Sequence, residues 1–207
     1  SHINRHPGWA RVYWDQVAEV FVRRRGRFAD SIPAHEYRLT RSEPDLGYLL
    51  TYRADPETWE RALAELRRAV EDNPENVRAW LGLAQEYSAA GPAAAERRLE
   101  ALDRAVALMG SAPGVGMVHA ERAHTLLQLG RLDEAKEEAQ RALHLQRDLV
   151  LPRWVLASAA ERRGAWGQAR ELLRDILMRL ALDDPRVQTI REHLNVVEER
   201  LRSEGVR

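Results

Sequence analysis

The chain has 207 residues, with 32 basic and 32 acidic side chains, seven His and no Cys, a length that makes one large domain or two small ones. A formal charge of zero argues against a charge-driven nucleic-acid binder, so no nucleic-acid partner is expected. Without Cys there are no disulfides, thiolate nucleophiles or Cys-ligated zinc, and no apolar run is long enough for a membrane span.

The first two residues, Ser1-His2, read as the scar of a cleaved tag. Residues 9–23, WARVYWDQVAEVFVR, have the Val, Trp, Tyr and Phe content of strands. They suit a β-hairpin with Asp15-Gln16 as the turn between Arg11–Trp14 and Val17–Arg23, although no Gly is present to favour a two-residue turn. The rival is an amphipathic helix along Trp9, Tyr13, Val17 and Phe21. An isolated hairpin is barely stable, so this piece packs on the repeats or belongs to a truncated upstream domain. Residues 1–42 are accordingly read as an N-terminal extension. Arg23-Arg24-Arg25-Gly26-Arg27 is the one dense basic run: a solvated strand end, or a contact for phosphates or an anionic membrane surface.

From residue 43 onward the chain repeats itself. Gly130 and Gly164, Leu132 and Trp166, Ala135 and Ala169, and upstream Ala123 and Ala157, are each 34 residues apart. Helix-period apolar spacing on either side of each Gly predicts two amphipathic helices with a tight turn, and Ala where the helices approach closely. Trp80, Leu83, Ala84 and Tyr87 precede Gly91 in the same way. The Gly91 to Gly130 interval is 39, five more than the period, with two extra residues after Gly91 and three in the Gly110–Gly116 loop. Trp59, Ala62, Leu66, Ala69 and Pro74 match the second half of an earlier unit, whose first helix near Leu46 to Tyr52 is weak and contains Gly47. After the last repeat, Asp184-Pro185 restarts a helix, with Asp as cap and Pro in the first turn. Val187, Ile190, Leu194, Val197 and Leu201 then form a stripe that suits either a cap over the open end of the repeats or a dimerising coiled coil.

The repeat pattern, carried most fully by Trp80-x2-Leu83-Ala84-x2-Tyr87, Gly130–Ala142 and Gly164–Ile176, resembles the tetratricopeptide repeat (TPR) family over about residues 43–183. Arg98 and Arg122 depart from it, standing where an Ala and a Leu are expected. One such hairpin cannot bury its apolar face alone, so successive units must stack. The resemblance implies an all-α fold: a helix-turn-helix solenoid of three to four repeats over 43–183, a capping helix over 184–207, and the short extension, as a hairpin, in front. Residues 9–23 also resemble the tail of bacterial multi-pass glycosyltransferase-type membrane proteins that carry C-terminal TPRs, through Trp9, Val12, Tyr13, Asp15, Val20, Phe21, Val22 and Arg23.

Reactive chemistry is sparse. Of the basic residues 31 are Arg and only Lys136 is Lys, a skew that fits a GC-rich bacterial genome and leaves little scope for lysine chemistry. His119 and His124 lie five apart on different helix faces, and no H-E-x-x-H occurs, so no metal is expected. Gly110–Gly116 lacks the Lys of a phosphate loop, and no G-x-S-x-G elbow exists. Acid pairs such as Glu137-Glu138 and Glu198-Glu199, on Arg-rich helices, read as solvated, salt-bridged faces. The chain is therefore expected to be no enzyme and to need no cofactor.

The expected function is a protein–protein interaction scaffold that takes a peptide or partner protein. The alternative is a soluble C-terminal module, on the cytoplasmic or extracytoplasmic side, of a membrane glycosyltransferase-type protein whose catalytic part lies upstream. The TPR resemblance places partners on the concave face lined by the first helix of each unit. That face maps to Arg78 and Gln85, then Met117, His124 and Gln128, then Trp154, Ser158 and Arg162. The mixture suits an extended or helical peptide with some acidic character. Trp154 is equally readable as a residue buried between helices. The paired Asn residues with which chaperone-binding relatives clamp a C-terminal carboxylate are missing. Self-association, if any, is assigned to the C-terminal helix.

Overall fold

A computed structural model describes residues 3, 6–43 and 45–205 of the chain; the Ser1-His2 pair lies outside the described residues. A two-stranded hairpin, β1 (Trp9–Trp14) and β2 (Glu19–Arg23), precedes two single-turn helices, α1 (Ile32–His35) and α2 (Gly47–Leu50). Eight longer helices come next: α3 (Pro56–Asp72), α4 (Val77–Ala89), α5 (Ala95–Met109) and α6 (Val115–Gln128), then α7 (Leu132–Leu145), α8 (Leu151–Arg162), α9 (Trp166–Arg179) and α10 (Arg186–Ser203). The fold is the expected helical-hairpin array with a small N-terminal hairpin. It forms two compact units, Ser1–Met109 and Gly110–Arg207.

In the first unit, residues 9–23 are strands and not a helix. Trp9 pairs with Arg23, Ala10 with Val22, Arg11 with Phe21, Tyr13 with Val20 and Trp14 with Glu19, with a bulge between Arg11 and Tyr13. The expected Asp15-Gln16 turn is corrected to four residues, Asp15–Ala18, and β2 starts at Glu19 rather than Val17. Two-residue hairpin turns need positive φ, for which this sequence offers no Gly. Asp15 closes the longer loop instead. Its Oδ1 accepts the N–H groups of Val17 and Ala18, each at 2.7 Å, and its own N–H donates to the Ala18 carbonyl at 2.9 Å. Burial works to raise the Asp15 pKa, but these bonds and that from the Tyr13 hydroxyl outweigh it and hold it low.

The extension is fastened to helix α3. The Glu65 carboxylate accepts from the backbone N–H groups of Arg38, Leu39 and Thr40, all at 2.9 Å, and from the Thr40 hydroxyl at 3.0 Å. One turn on, Arg68 lies over the Tyr37 ring at 4.1 Å and donates to the carbonyls of Ala34 and Glu36. Asp72 accepts from the Tyr37 hydroxyl at 2.7 Å. Trp14 is 1% exposed and meets Tyr37 edge-to-face. Burial raises the Tyr37 pKa, and the bond to Asp72 adds to it.

On its other face α3 buries Ala62, Leu66 and Ala69, and a Cβ at Gly82 of α4 would stand 2.8 Å from Leu66 Cδ2. Any larger residue there must displace the fully buried Leu66 side chain. Asn76 caps α4 by accepting the Ala79 N–H at 3.0 Å, and its amide donates to the Trp14 carbonyl at 2.8 Å. The weak first helix before α3 is α2 with a 3-10 turn over Thr51–Ala54. The two residues inserted after Gly91 fall at another 3-10 turn, Pro92–Ala94.

The second unit contains two hairpins, α6–α7 and α8–α9, and the last helix. Gly130 and Gly164 have φ of 76° and 72°. The Arg131 N–H reaches back to the Leu126 carbonyl, and the Ala165 N–H to Ala160, both at 2.9 Å. These are equivalent left-handed helix caps, 34 residues apart. Ala123, Ala135, Ala142, Ala157 and Ala169 are all fully buried, as close helix packing requires. Helix α10 places Val187, Ile190, Val197 and Leu201 inward, with Ile190, Val197 and Leu201 in one core cluster with Leu173 and Ile176 of α9. The stripe is thus spent within the chain. It caps the repeats. Asp184 Oδ1 accepts the Arg186 N–H at 2.9 Å just ahead of the helix, where Pro185 and not Asp184 holds the N-cap position.

Candidate functional site

The eight residues expected on the peptide face fall on α4, α6 and α8, and the structure treats them unequally. In the first unit Gln85 is half-buried and its amide donates to the Leu46 carbonyl at 3.2 Å. Its own carbonyl accepts from Arg53 at 3.2 Å. Beside it, Glu86 is 1% exposed and takes the indole N–H of Trp59, with Arg53 at 3.6 Å. Arg78 is half-buried, and its charge helps to hold down the pKa of Asp15 in the hairpin turn. Gln85 is therefore tied into the packing that joins α4 to the segments before it.

In the second unit α6 and α8 pack side by side as the first helices of successive hairpins. Met117 is 45% exposed and Gln128 is exposed, while His124 and Ser158 are half-buried. Arg162 donates from one guanidinium nitrogen to the Leu127 carbonyl at 2.6 Å. That bond brings the ends of α6 and α8 together. Trp154 turns the other way. It packs against the cluster that holds Ile190 and Leu173, and its ring lies 4.7 Å from His193 of α10, edge-on. His193 in turn meets Glu161 at 3.1 Å. Of the two readings of Trp154, the structure shows partial burial between helices.

Glu138 corrects a second expectation. Beside Glu137 on an Arg-rich helix it reads as a solvated charge, yet it is 5% exposed. It lies 2.7 Å from His119 Nδ1, 2.8 Å from Arg122 and 3.1 Å from Arg141. Burial would raise its pKa, but the hydrogen bonds from His119 and Arg122 win and lower it. The sequence signal for this is Arg122, a cation where the repeat pattern asks for Leu, because a buried charge requires a partner. Arg153 is comparable: 9% exposed, it bonds Asp175 at 2.6 Å and the carbonyls of Arg147 and Leu149. Both sets hold helices together. Among the described residues no group of three or more His, Asp or Glu side chains is arranged to hold a metal ion, and no helix is long and apolar enough to cross a membrane.

No protein-family model and no curated protein matches the sequence. Solved structures do match its fold. MamA aligns with a TM-score of 0.62 at 16% identity, over 77% of this chain and 80% of its own. YrrB, described as a TPR protein with an unusual peptide-binding site, aligns with a TM-score of 0.58 at 16% identity, over 88% of this chain and 86% of its own. The Cut9–Hcn1 hetero-tetramer of the APC/C contains a chain that aligns at 0.61 and 16% identity over 78% of this chain, which spans 30% of that one. These likenesses show that the chain has the TPR fold. The glycosyltransferase-type resemblance of residues 9–23 finds no counterpart among these structures.

Proposed function

We propose that this chain is a non-catalytic protein-interaction scaffold, with residues 43–183 as its repeat array between the extension and the cap. Its ligand is a peptide or partner protein with some acidic character, taken along α6 and α8. The observation that carries this reading is the α6–α8 pair. Two equivalent helices lie side by side and offer an exposed thioether at Met117, an exposed amide at Gln128 and the anchored guanidinium of Arg162. An anchored guanidinium loses little freedom on meeting a carboxylate, which favours binding. Support by analogy comes from YrrB, whose description includes a peptide-binding site, and from the Cut9–Hcn1 assembly. The TPR fold by itself does not choose a partner.

The test replaces His124 and Arg162 together with Glu and measures the binding of acidic and basic peptide pools by fluorescence anisotropy, with melting temperature as the control for folding. Roughly tenfold or greater weakening toward acidic peptides is expected. Unchanged binding by a stably folded double variant overturns the assignment of the site.

A further inference from the structure

Strand β2 is the open edge of the two-stranded sheet. β1 is its only sheet partner among the described residues. The register fixes which of its backbone groups are unused. The Arg24 N–H donates to the Gly8 carbonyl at 2.9 Å and the Asp15 N–H to Ala18 at 2.9 Å. By the alternation of antiparallel pairing, Val20 and Val22 bond inward to β1, and the N–H and C=O groups of Glu19, Phe21 and Arg23 point outward. The strand is apolar between its charged ends. Val20 is 47% exposed, while Phe21 and Val22 are half-buried. Natural proteins often block such edges with Lys or Pro, and β2 has neither.

Its sequence, Glu19-Val20-Phe21-Val22-Arg23, is self-complementary. Set antiparallel to a second copy about Phe21, each Glu19 stands opposite an Arg23, each Val20 opposite a Val22, and Phe21 opposite Phe21. This register pairs Glu19, Phe21 and Arg23 with one another, and these three residues carry the outward backbone groups. About six new main-chain hydrogen bonds form with no residue shifted. The charges also fit. Arg23 is exposed, lies over the Trp9 ring at 5.4 Å and has no carboxylate partner among the described residues. Glu19 has one oxygen engaged by Arg11 at 3.0 Å. Opposite charges directly across an antiparallel pair are favourable, and like charges are not.

We infer that β2 is a homodimerisation edge: two copies of this chain join through antiparallel β2–β2 pairing centred on Phe21, forming a four-stranded sheet across a two-fold axis. The contact is isologous and closes on itself. A single short strand from each copy buries little area, so the association is weak and depends on concentration. It is separate from α10, whose apolar stripe is already covered, and it does not rest on the peptide-binding reading.

Sedimentation equilibrium from micromolar to millimolar chain tests this directly, together with two variants. Arg23→Glu places Glu opposite Glu19 twice and is expected to raise the dimer Kd by roughly tenfold or more, with little change in melting temperature. The chain has no Cys of its own, so Phe21→Cys introduces a thiol on the two-fold axis, where cross-strand Cα atoms stand about 5.5 Å apart, within disulfide reach. Under mild oxidation it is expected to give a covalent dimer several times faster than Arg27→Cys. Three results overturn the inference: a monomer throughout the range, a Kd unmoved by Arg23→Glu, or equal cross-linking of the two Cys variants. A monomer that instead binds acidic peptide or phosphatidylserine vesicles through Arg23, Arg25 and Arg27 reassigns the edge to that ligand. Should Phe21→Cys fail to fold, the Arg23→Glu comparison decides.

Discussion

Truncating Ile190 to Ala measures what the last helix does. Ile190 is 4% exposed and packs in one cluster with Leu173 and Ile176, both fully buried, and with Ala157, Ala160 and Ala169. Removing three carbons from such a site costs the transfer free energy of the lost surface plus a cavity term, about 3 kcal/mol together. For a cooperative unit of roughly 100 residues each kcal/mol moves the melting temperature by about 4–8 °C, so a fall of about 12–24 °C is expected. Val197→Ala, two turns away and fully buried, is expected to cost about 2 kcal/mol by itself; the two side chains share one cluster, so the double variant departs from the sum of the two. The assay is thermal melting monitored by circular dichroism, with sedimentation velocity on the same samples. A shift below about 3 °C for Ile190→Ala refutes the burial argument, since that is under 1 kcal/mol. Clean conversion of a dimer into an equally stable monomer refutes the capping role.

Gly130→Ala and Gly164→Ala each force a Cβ into a left-handed turn and are expected to cost about 1–2 kcal/mol; chemical denaturation giving values more than about 1 kcal/mol apart would count against equivalent repeats. Glu65→Ala removes the acceptor of three backbone N–H groups and is expected to cost about 2 kcal/mol, with faster hydrogen exchange at Leu39 and Thr40; unchanged exchange there would refute the fastening role. The Arg186 side chain and backbone hold the Asp184 pKa at about 2, against an ordinary 3.8. Because the folded value is the lower one, this carboxylate stabilises the fold fully above about pH 4, and the contribution is lost as pH falls toward 2. The melting difference between the wild-type chain and Asp184→Asn should shrink over that window, and a constant difference would refute the linkage.

The repeats were legible because their cause is local and periodic. Gly at the turn and Ala at the close contact recur at one interval, and the structure gives both glycines nearly the same φ and gives the residue after each the same bond five residues back. The capping stripe was legible as apolar spacing, but its choice between cap and coiled coil was not. Spacing says that Ile190 and Val197 share a face, and only the presence of Leu173 and Ile176 opposite says what covers it. The peptide face was legible as a set of helices more than as a set of side chains. Trp154 lies on a first helix as expected, yet it packs toward the core that includes α10, which no repeat pattern encodes.

The attachment of the extension could not be read, and α3 shows why. Glu65, Arg68 and Asp72 form a polar stripe at steps of three and four, which from sequence is the outer face of any amphipathic helix. In the structure that stripe accepts the backbone of residues 38–40, donates to the carbonyls of 34 and 36, and takes the hydroxyl of Tyr37. The same charges would be equally content in water, so nothing in their pattern marks them as partners. What does mark them lies on the other segment. A stretch with no periodicity of its own, from Arg38 to Thr40, has backbone N–H groups that must bond somewhere, and a carboxylate on the nearest helix is their available acceptor. Charged faces on repeat helices are therefore best assigned only after the backbone groups of adjoining irregular segments have been accounted for.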